Sequence, residues 1–392
     1  MKSIVCFISA FCVTAGSIFA QQVNGNNQKS QPETEPVLQM RTIEFGPGKQ
    51  LAGLPPTITV GYPMHCSSDG TAFIEFYDKV IQKPGSALVP GSILVPDLYG
   101  VARDGSITAI QRSLPQQKRE ISSISFYPGA ALIATLLRAL PNKDPDNPQL
   151  DDIGQYYIAL SKRDGSSSKL IALDLKFEII RIAVLDSGRF LVTGIDPSNK
   201  LPVLGLLDTD GTLLRMLDVD SAPFAASKTL GTIYKGTGGD GDSTRLVTRP
   251  FAHAVFVPYG SKVLLLVPGS RLPVRIFGDN GEENSIELKL PKDELPETIL
   301  PSSKTDAWIV RTQNISTFAS QHAGGVVENP VQQILEVDPS TGDTLRSLHL
   351  KGLNTMEISC ASEKEITALH YEFGAKDSNV QSGWTLLSAQ NR

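Results

Sequence analysis

The sequence predicts an all-β protein built from repeated four-stranded units. Three observations carry that reading: paired hairpins recurring at a near-constant period, Asp-Gly and Asn-Gly turns between the strands, and flanks rich in Val, Ile, Leu, Phe and Thr. Composition agrees. The 392 residues are 41% hydrophobic and 20% charged, with 33 Gly and 26 Pro, which fits a turn-rich globular chain better than a coiled coil or a disordered one.

The clearest unit is Ile182–Leu217, IAVLDSGRFLVTGIDPSNKLPVLGLLDTDGTLLRML. Its first hairpin turns at Gly188 and its second at Gly211. First hairpins recur at Gly70, Gly129 and Gly260, with weaker copies at Lys304 and Lys364. The spacings along that series are 59, 59, 72, 44 and 60 residues, and the irregular pair together makes 116, twice 58. A surface insertion at Phe224–Arg249, containing GTGGDGDSTR, and a short following unit account for the irregularity. Second hairpins turn at Gly105, Gly165, Gly281 and Gly342. Gly suits these turns because it accepts positive φ, and Asp because it bonds back to nearby amides.

Two hairpins make four strands, and four-stranded units at a fixed period are the signature of β-propeller blades. Six blades are expected, with seven as the alternative count. The period exceeds the roughly 40–50 residues of common propeller repeats, so the loops must be long. Ala130–Leu140, AALIATLLRAL, has helix-like composition, but the period assigns it to a strand. The last unit ends after Trp384–Ala389, one strand short. Val37–Phe45, VLQMRTIEF, is the candidate to complete it and close the ring, leaving no long free edges.

The N-terminus reads as an export signal. Met1-Lys2 is followed by an apolar run to Phe19 and then Ala20, which predicts a signal peptide over residues 1–20, cut after Ala20. The run falls short of the roughly 20 apolar residues of a spanning helix, which disfavours an uncleaved anchor. Residues 21–36, QQVNGNNQKSQPETEP, cannot bury enough apolar surface to order themselves and read as a disordered linker. Residues 37–392 then form a single propeller domain. The expected location is secreted or periplasmic, as a monomer, with no membrane insertion after cleavage. A net charge of −5 argues against nucleic acid as a partner.

Cys6 and Cys12 leave with the signal, and Cys66 and Cys360 remain. They occupy equivalent places in the first and last units, each followed by Ser two residues on and Tyr eleven on. Those units are neighbours in a closed ring, and an oxidising compartment permits a disulfide between them. Two separate buried thiols are the other reading, because equivalent strands of adjacent blades need not approach within the ~7 Å limit for Cα atoms.

The Ile182–Leu217 unit resembles the repeats of exported bacterial β-propellers of the NHL and related six-bladed types. The resemblance covers the hairpin pattern only; the loops are longer and the polar residues that often mark NHL repeats are missing. It implies the fold and no particular activity.

Chemistry leaves little local trace. None of the five histidines, His65, His253, His322, His349 and His370, is paired at metal-ligand spacing, although His65 and His253 fall at or near first strands, which line a propeller's channel. Asp144, Asp146, Asn147, Asp151 and Asp152, and separately Asp240 and Asp242, form oxygen-rich stretches; neither matches an EF-hand, and solvated acidic loops are expected rather than Ca²⁺ sites. There is no Gly-x-Ser-x-Gly elbow and no phosphate loop. Trp308 and Trp384 are assigned to the core, and Asn314-Ile315-Ser316 is a glycosylation sequon. No catalytic residue, cofactor or metal is assigned. The expected function is a binding or scaffolding module that offers its loop face to a protein or glycan. The alternative is a hydrolase or lactonase holding a metal in the central channel, with ligands from separate blades.

Overall fold

The computed structural model describes residues 38–56, 60–77, 93–116, 121–139, 154–198, 201–219, 254–268, 273–292, 294–301, 307–314, 332–351, 358–361, 365–372 and 383–390. The signal and linker segments, the insertion at 224–249, both acidic stretches, His253, His322 and the turns at Lys304 and Lys364 lie outside them.

The described residues contain strands and no helix. They form six sheets whose four-stranded meanders follow one another along the chain, making a six-bladed β-propeller. Two strands precede the first blade, β1 (Met40–Glu44) and β2 (Lys49–Gln50). Blade one comprises β3 (Val60–Cys66) and β4 (Ala72–Phe76). After the two-residue β5 (Ile93–Leu94), it continues with β6 (Asp97–Val101) and β7 (Ile107–Ile110). Blade two is β8 (Ile121–Pro128), β9 (Leu132–Ala139), β10 (Gln155–Lys162) and β11 (Ser167–Leu173). Blade three is β12 (Glu178–Val184), β13 (Phe190–Ile195), β14 (Pro202–Leu207) and β15 (Leu213–Leu217). Blade four is β16 (Val255–Tyr259), β17 (Lys262–Leu266), β18 (Val274–Gly278) and β19 (Gly281–Ile286). Blade five is β20 (Glu294–Pro301), β21 (Trp308–Asn314), β22 (Gln332–Val337) and β23 (Thr344–Lys351). Blade six has three strands from the C-terminus, β24 (Ile358–Ala361), β25 (Glu365–Glu372) and β26 (Gly383–Gln390). The helix-like AALIATLLRAL does form a strand, β9, paired on both sides by β8 and β10.

Blade six takes its fourth strand from the N-terminal region, but from a different segment than expected. β2 closes it, pairing antiparallel through Lys49 with Leu386 and Gln50 with Thr385. The Val37–Phe45 segment instead supplies β1, a fifth strand laid parallel along β23 at the outer edge of blade five. The reason lies in how blades contact each other. At five seams the outer strand of one blade, or the residues just after it, meets the second-hairpin turn of the next. Lys49 Nζ donates to the Asp104 carbonyl, the Gln111 amide to Gly165 O at 2.8 Å, Lys169 Nζ to Thr209 O at 3.5 Å, Arg215 to Asn280 O and the Lys289 amide to Gly342 O at 2.8 Å. Blade six has no such turn, because its third and fourth strands come from opposite ends of the chain. β1 fills that place: Ile43 is buried with Leu300 and Leu348 of blade five and Ile366 and Ala389 of blade six.

The same contact explains the repeated glycines. At Gly342, φ is +72°, and a Cβ would lie 1.8 Å from the Glu287 carbonyl of the preceding blade. At Gly165, φ is +91°, and a Cβ would lie 2.4 Å from the Ala109 carbonyl. Gly is therefore needed there for the turn and for the approach of the neighbouring blade.

Between the sheets the core is continuous. Phe73 and Leu98 of blade one pack with Phe126 and Ile133 of blade two. One cluster runs through blades two, three and four, with Tyr127, Phe190 and Phe256 among its members. Others join four to five around Trp308 and six to one around Trp384, so both tryptophans are core residues. Burying each of these large side chains contributes about 1.5–3 kcal/mol.

Candidate functional site: the ring centre and its two faces

In an up-and-down four-stranded blade the two hairpin turns lie at one end, and the second-to-third and blade-to-blade connections lie at the other. The Gly turns at 70, 105, 165, 188, 211, 260, 281 and 342 therefore share one face. The strand ends that bound the long connections 77–96, 140–154, 218–254 and 315–331 share the other.

The first strand of each blade faces the centre, and the centre is narrow. Cα atoms of β16 come within 8 Å of those of β3 and β8, which belong to blades opposite and nearly opposite in a ring of six. Register shifts mark five of the six innermost strands: between Gly61 and His65, Ser123 and Ser125, Ile179 and Arg181, Pro296 and Thr298, and Ile358 and Cys360. Such bulges bend a strand and re-aim its side chains. β5 adds a further short parallel strand to β8, on the edge away from β9.

His65 sits at this centre, buried against Phe126 in an edge-to-face contact with ring centroids 4.7 Å apart. Burial, with a smaller push from the Arg181 guanidinium, lowers its pKa from 6.5 to about 3, so the imidazole is neutral at any ordinary pH. Arg181 follows the bulge of β12. It donates from Nε to Ala254 O at 3.3 Å and from Nη1 to Ile180 O at 3.0 Å, and burial lowers its pKa. Four blades thus meet around His65, Phe126, Arg181 and Ala254.

Charged pairs gather where the strands meet the long-loop face. Glu75, near the end of β4, accepts from Arg112 Nη1 at 2.6 Å and from Ser123 Oγ at 3.2 Å. Both members of the ion pair are almost fully buried, and burial raises the Glu75 pKa against the opposing pull of Arg112. Tyr77 lies nearby; burial raises its pKa, with the Glu75 charge adding to the effect. In blade five, Glu297 is the bulged residue of β20 and pairs with Arg311 at 3.0 Å, while Thr312 donates to Glu294 at 2.7 Å. Glu297 Oε2 and Arg311 Nε are buried atoms with no hydrogen-bond partner among the described residues.

The tight-turn face is held by Asp side chains. Asp104, Asp164, Asp210 and Asp338 accept backbone amides two residues on, from Ser106, Ser166, Thr212 and Ser340. Hydrogen bonds from those Ser and Thr residues hold the four carboxyls below the usual carboxylate range. Arg163 of blade two reaches blade one, donating to Ser67 Oγ at 3.0 Å and Asp69 Oδ2 at 2.5 Å, and lies 4.8 Å from the Phe73 ring centroid.

Cys66 and Cys360 are joined in a disulfide, with Cα atoms 5.4 Å apart. The register shifts in β3 and β24 precede both residues. Adjacent strand residues point to opposite faces, so β3 sends Cys66 towards blade six and His65 towards blade two. His349 is exposed and His370 half-buried, on blades five and six. Among the described residues, no three His, Cys, Asp or Glu side chains gather as metal ligands.

The sequence reading missed Glu75, Arg112, Arg181, Glu297 and Arg311. Glu75 in AFIEF and Arg181 in EIIRIAV did leave a signal, a single charge inside an apolar strand. Such a charge is buried only with hydrogen-bond or ion-pair partners.

These features define a six-bladed β-propeller with one tied face and one face of long connections. No protein-family model matches the sequence, and no curated protein matches it. Among solved structures the chain is similar to virginiamycin B lyase from Staphylococcus aureus, at 11% identity and a TM-score of 0.37 over 88% of this chain and 99% of that one. It is also similar to an exo-β-1,3-galactanase from Clostridium thermocellum, at 10% identity and a TM-score of 0.36 over 81% of this chain and 73% of that one. Similarity at this level carries no activity or site residue across.

Proposed function

We propose that this propeller is an exported, monomeric binding module that presents its long-loop face to a protein or glycan. The observation that supports the reading most is the asymmetry of the two faces. Turns and inter-blade ties fix one end, and the four longest connections leave from the other. Binding sites concentrate on loops carried by a rigid scaffold. The buried Glu75–Arg112 pair of blade one, to which Ser123 Oγ of blade two donates, lies at the adjoining ends of those blades.

The test compares the mature chain with a variant in which residues 221–250 are replaced by a short Gly-Ser linker. Both are applied to an array of defined glycans and to an array of extended peptides. Saturable binding by the parent chain that the variant loses supports the reading, and binding unchanged by the replacement places the site elsewhere. A stoichiometric divalent ion retained through dialysis, together with hydrolysis of a lactone or glycoside, overturns it in favour of a metal-dependent hydrolase.

A further inference from the structure

We infer that the Cys66–Cys360 disulfide is a redox-sensitive clasp, whose reduction opens the ring between blades one and six while blades two to five stay formed. At five seams the chain crosses from the outer strand of a blade whose four strands follow one another in sequence to the innermost strand of the next. At the seam between six and one it crosses from β2 to β3, but β2 is held on blade six only by its pairing with β26, and there the two ends of the propeller meet. On its outer side the fastening is short. β2 pairs over two residues, extended by the Leu51 amide to Trp384 O at 2.8 Å and the Gly46 amide to Ser388 O at 2.9 Å. In the middle the contact is apolar, with Leu51, Leu54, Ile74 and Phe76 packed on Leu369, Trp384 and Leu386. Phe76 meets Trp384 edge to face, with ring centroids 5.7 Å apart. On the inner side the covalent link joins β3 to β24.

The neighbouring seam is tied differently. Between blades one and two, Arg163 holds Ser67 and Asp69, Ser161 Oγ donates to Gln111 O at 2.5 Å, and Phe126 meets His65 edge to face. β3 is therefore held non-covalently on its blade-two side and covalently on its blade-six side. Cutting the disulfide releases the second hold and leaves the first. A dithiol supplies the chemistry. Its thiolate attacks one protein sulfur, the S–S bond breaks, and a mixed disulfide forms. The second thiol then displaces the protein sulfur. Cys66 and Cys360 gain two electrons and two protons, and the reductant leaves as its own disulfide.

Hydrogen exchange read by mass spectrometry tests this on the mature chain, folded oxidised and then measured with and without dithiothreitol. Amide protection in β3, β4, β24 and β25 is expected to fall about 30-fold or more on reduction. Protection in β12, β13 and β14 is expected to change less than about threefold. A disulfide that acts only by restricting the unfolded chain lowers protection equally in all six blades. That result overturns the inference, and so does unchanged protection at the seam. The Cys66→Ala, Cys360→Ala variant should reproduce the reduced pattern without reductant. Because reduction is applied to protein already folded, the reading stands even where that variant does not fold.

Discussion

Acid should destabilise this propeller through one histidine before it reaches the carboxylates. His65 is buried and its pKa lies at about 3, against 6.5 for a histidine in water. The unfolded chain therefore binds a proton between those values that the folded chain refuses, and stability falls as pH drops through that window. Above pH 6.5 both states hold neutral imidazole and the contribution is complete. At pH 5 the unfolded state gains by protonation, which lowers folding stability by about 2 kcal/mol relative to pH 7.5. Any folded-state value below about 4 gives nearly the same loss at pH 5, because the folded imidazole is then still neutral. The perturbation is His65→Gln, which keeps a polar side chain and removes the titration. Urea unfolding of both proteins at pH 7.5, 6 and 5 gives the stability difference. The variant starts lower at pH 7.5, since contact with Phe126 is lost. Its deficit should shrink by about 2 kcal/mol by pH 5. A deficit that stays constant across that range refutes a neutral buried His65.

Below the histidine window the Asp turns take over. Asp104, Asp164, Asp210 and Asp338 have lowered pKa values, so their contribution is present above the ordinary value of 3.8 and is lost as pH falls below it. The amides of Ser106, Ser166, Thr212 and Ser340 should then keep their exchange protection at pH 5 and lose it only as pH falls below 3.8, after correction for intrinsic rate. Removing one member of the buried pair by Glu75→Ala strands Arg112 and should cost about 3–5 kcal/mol in urea unfolding. Lys262→Ala, which breaks a partly exposed pair with Glu283, should cost less than about 1 kcal/mol. Gly260→Ala meets no atom within 4 Å and should cost about 1 kcal/mol, whereas Gly342→Ala, with the Glu287 carbonyl in its way, should cost more than about 3 kcal/mol. Equal costs at the two glycines would remove the neighbouring blade as the reason for Gly342.

Most of the ring could be read from the sequence because local chemistry writes it there. Gly at the second-hairpin turns of five blades, Asp two residues ahead of Ser or Thr in four of them, and apolar strand runs each reflect a constraint that recurs from blade to blade. Val37–Phe45 was legible as a strand but not as to its place. Its partner depends on blade six lacking a turn, which is a property of the closed ring and not of the segment. The charged pairs were hidden for a related reason. Glu75 meets Arg112, just past β7, and Ser123 of β8, and Arg181 meets the Ala254 carbonyl of the next blade, so no fixed spacing records either contact. The disulfide lies between these cases: equivalent positions in the first and last units made the pair conceivable, and the 5.4 Å approach is a fact of packing.

The two faces also differ in what they can tolerate, and this bears on where function can reside. An insertion at a second-hairpin turn would break an Asp-centred hydrogen bond and push against the preceding blade, as the 1.8 Å approach at Gly342 illustrates. The cost would reach two sheets at once. An insertion in the opposite connections, outside the short β5, lengthens a loop without touching a strand pair, and each doubling of loop length costs only about 0.6 kcal/mol. The strands that flank the sequence departing from the repeat, at 77–96, 140–154, 218–254 and 315–331, end on the face where departure is cheap. The repeat therefore keeps the turn formers and strand fillers that make the ring, and departures from it are tolerated where the repeat is interrupted. The repeated positions carry no trace of chemistry for a physical reason: they are fully committed to holding six blades together.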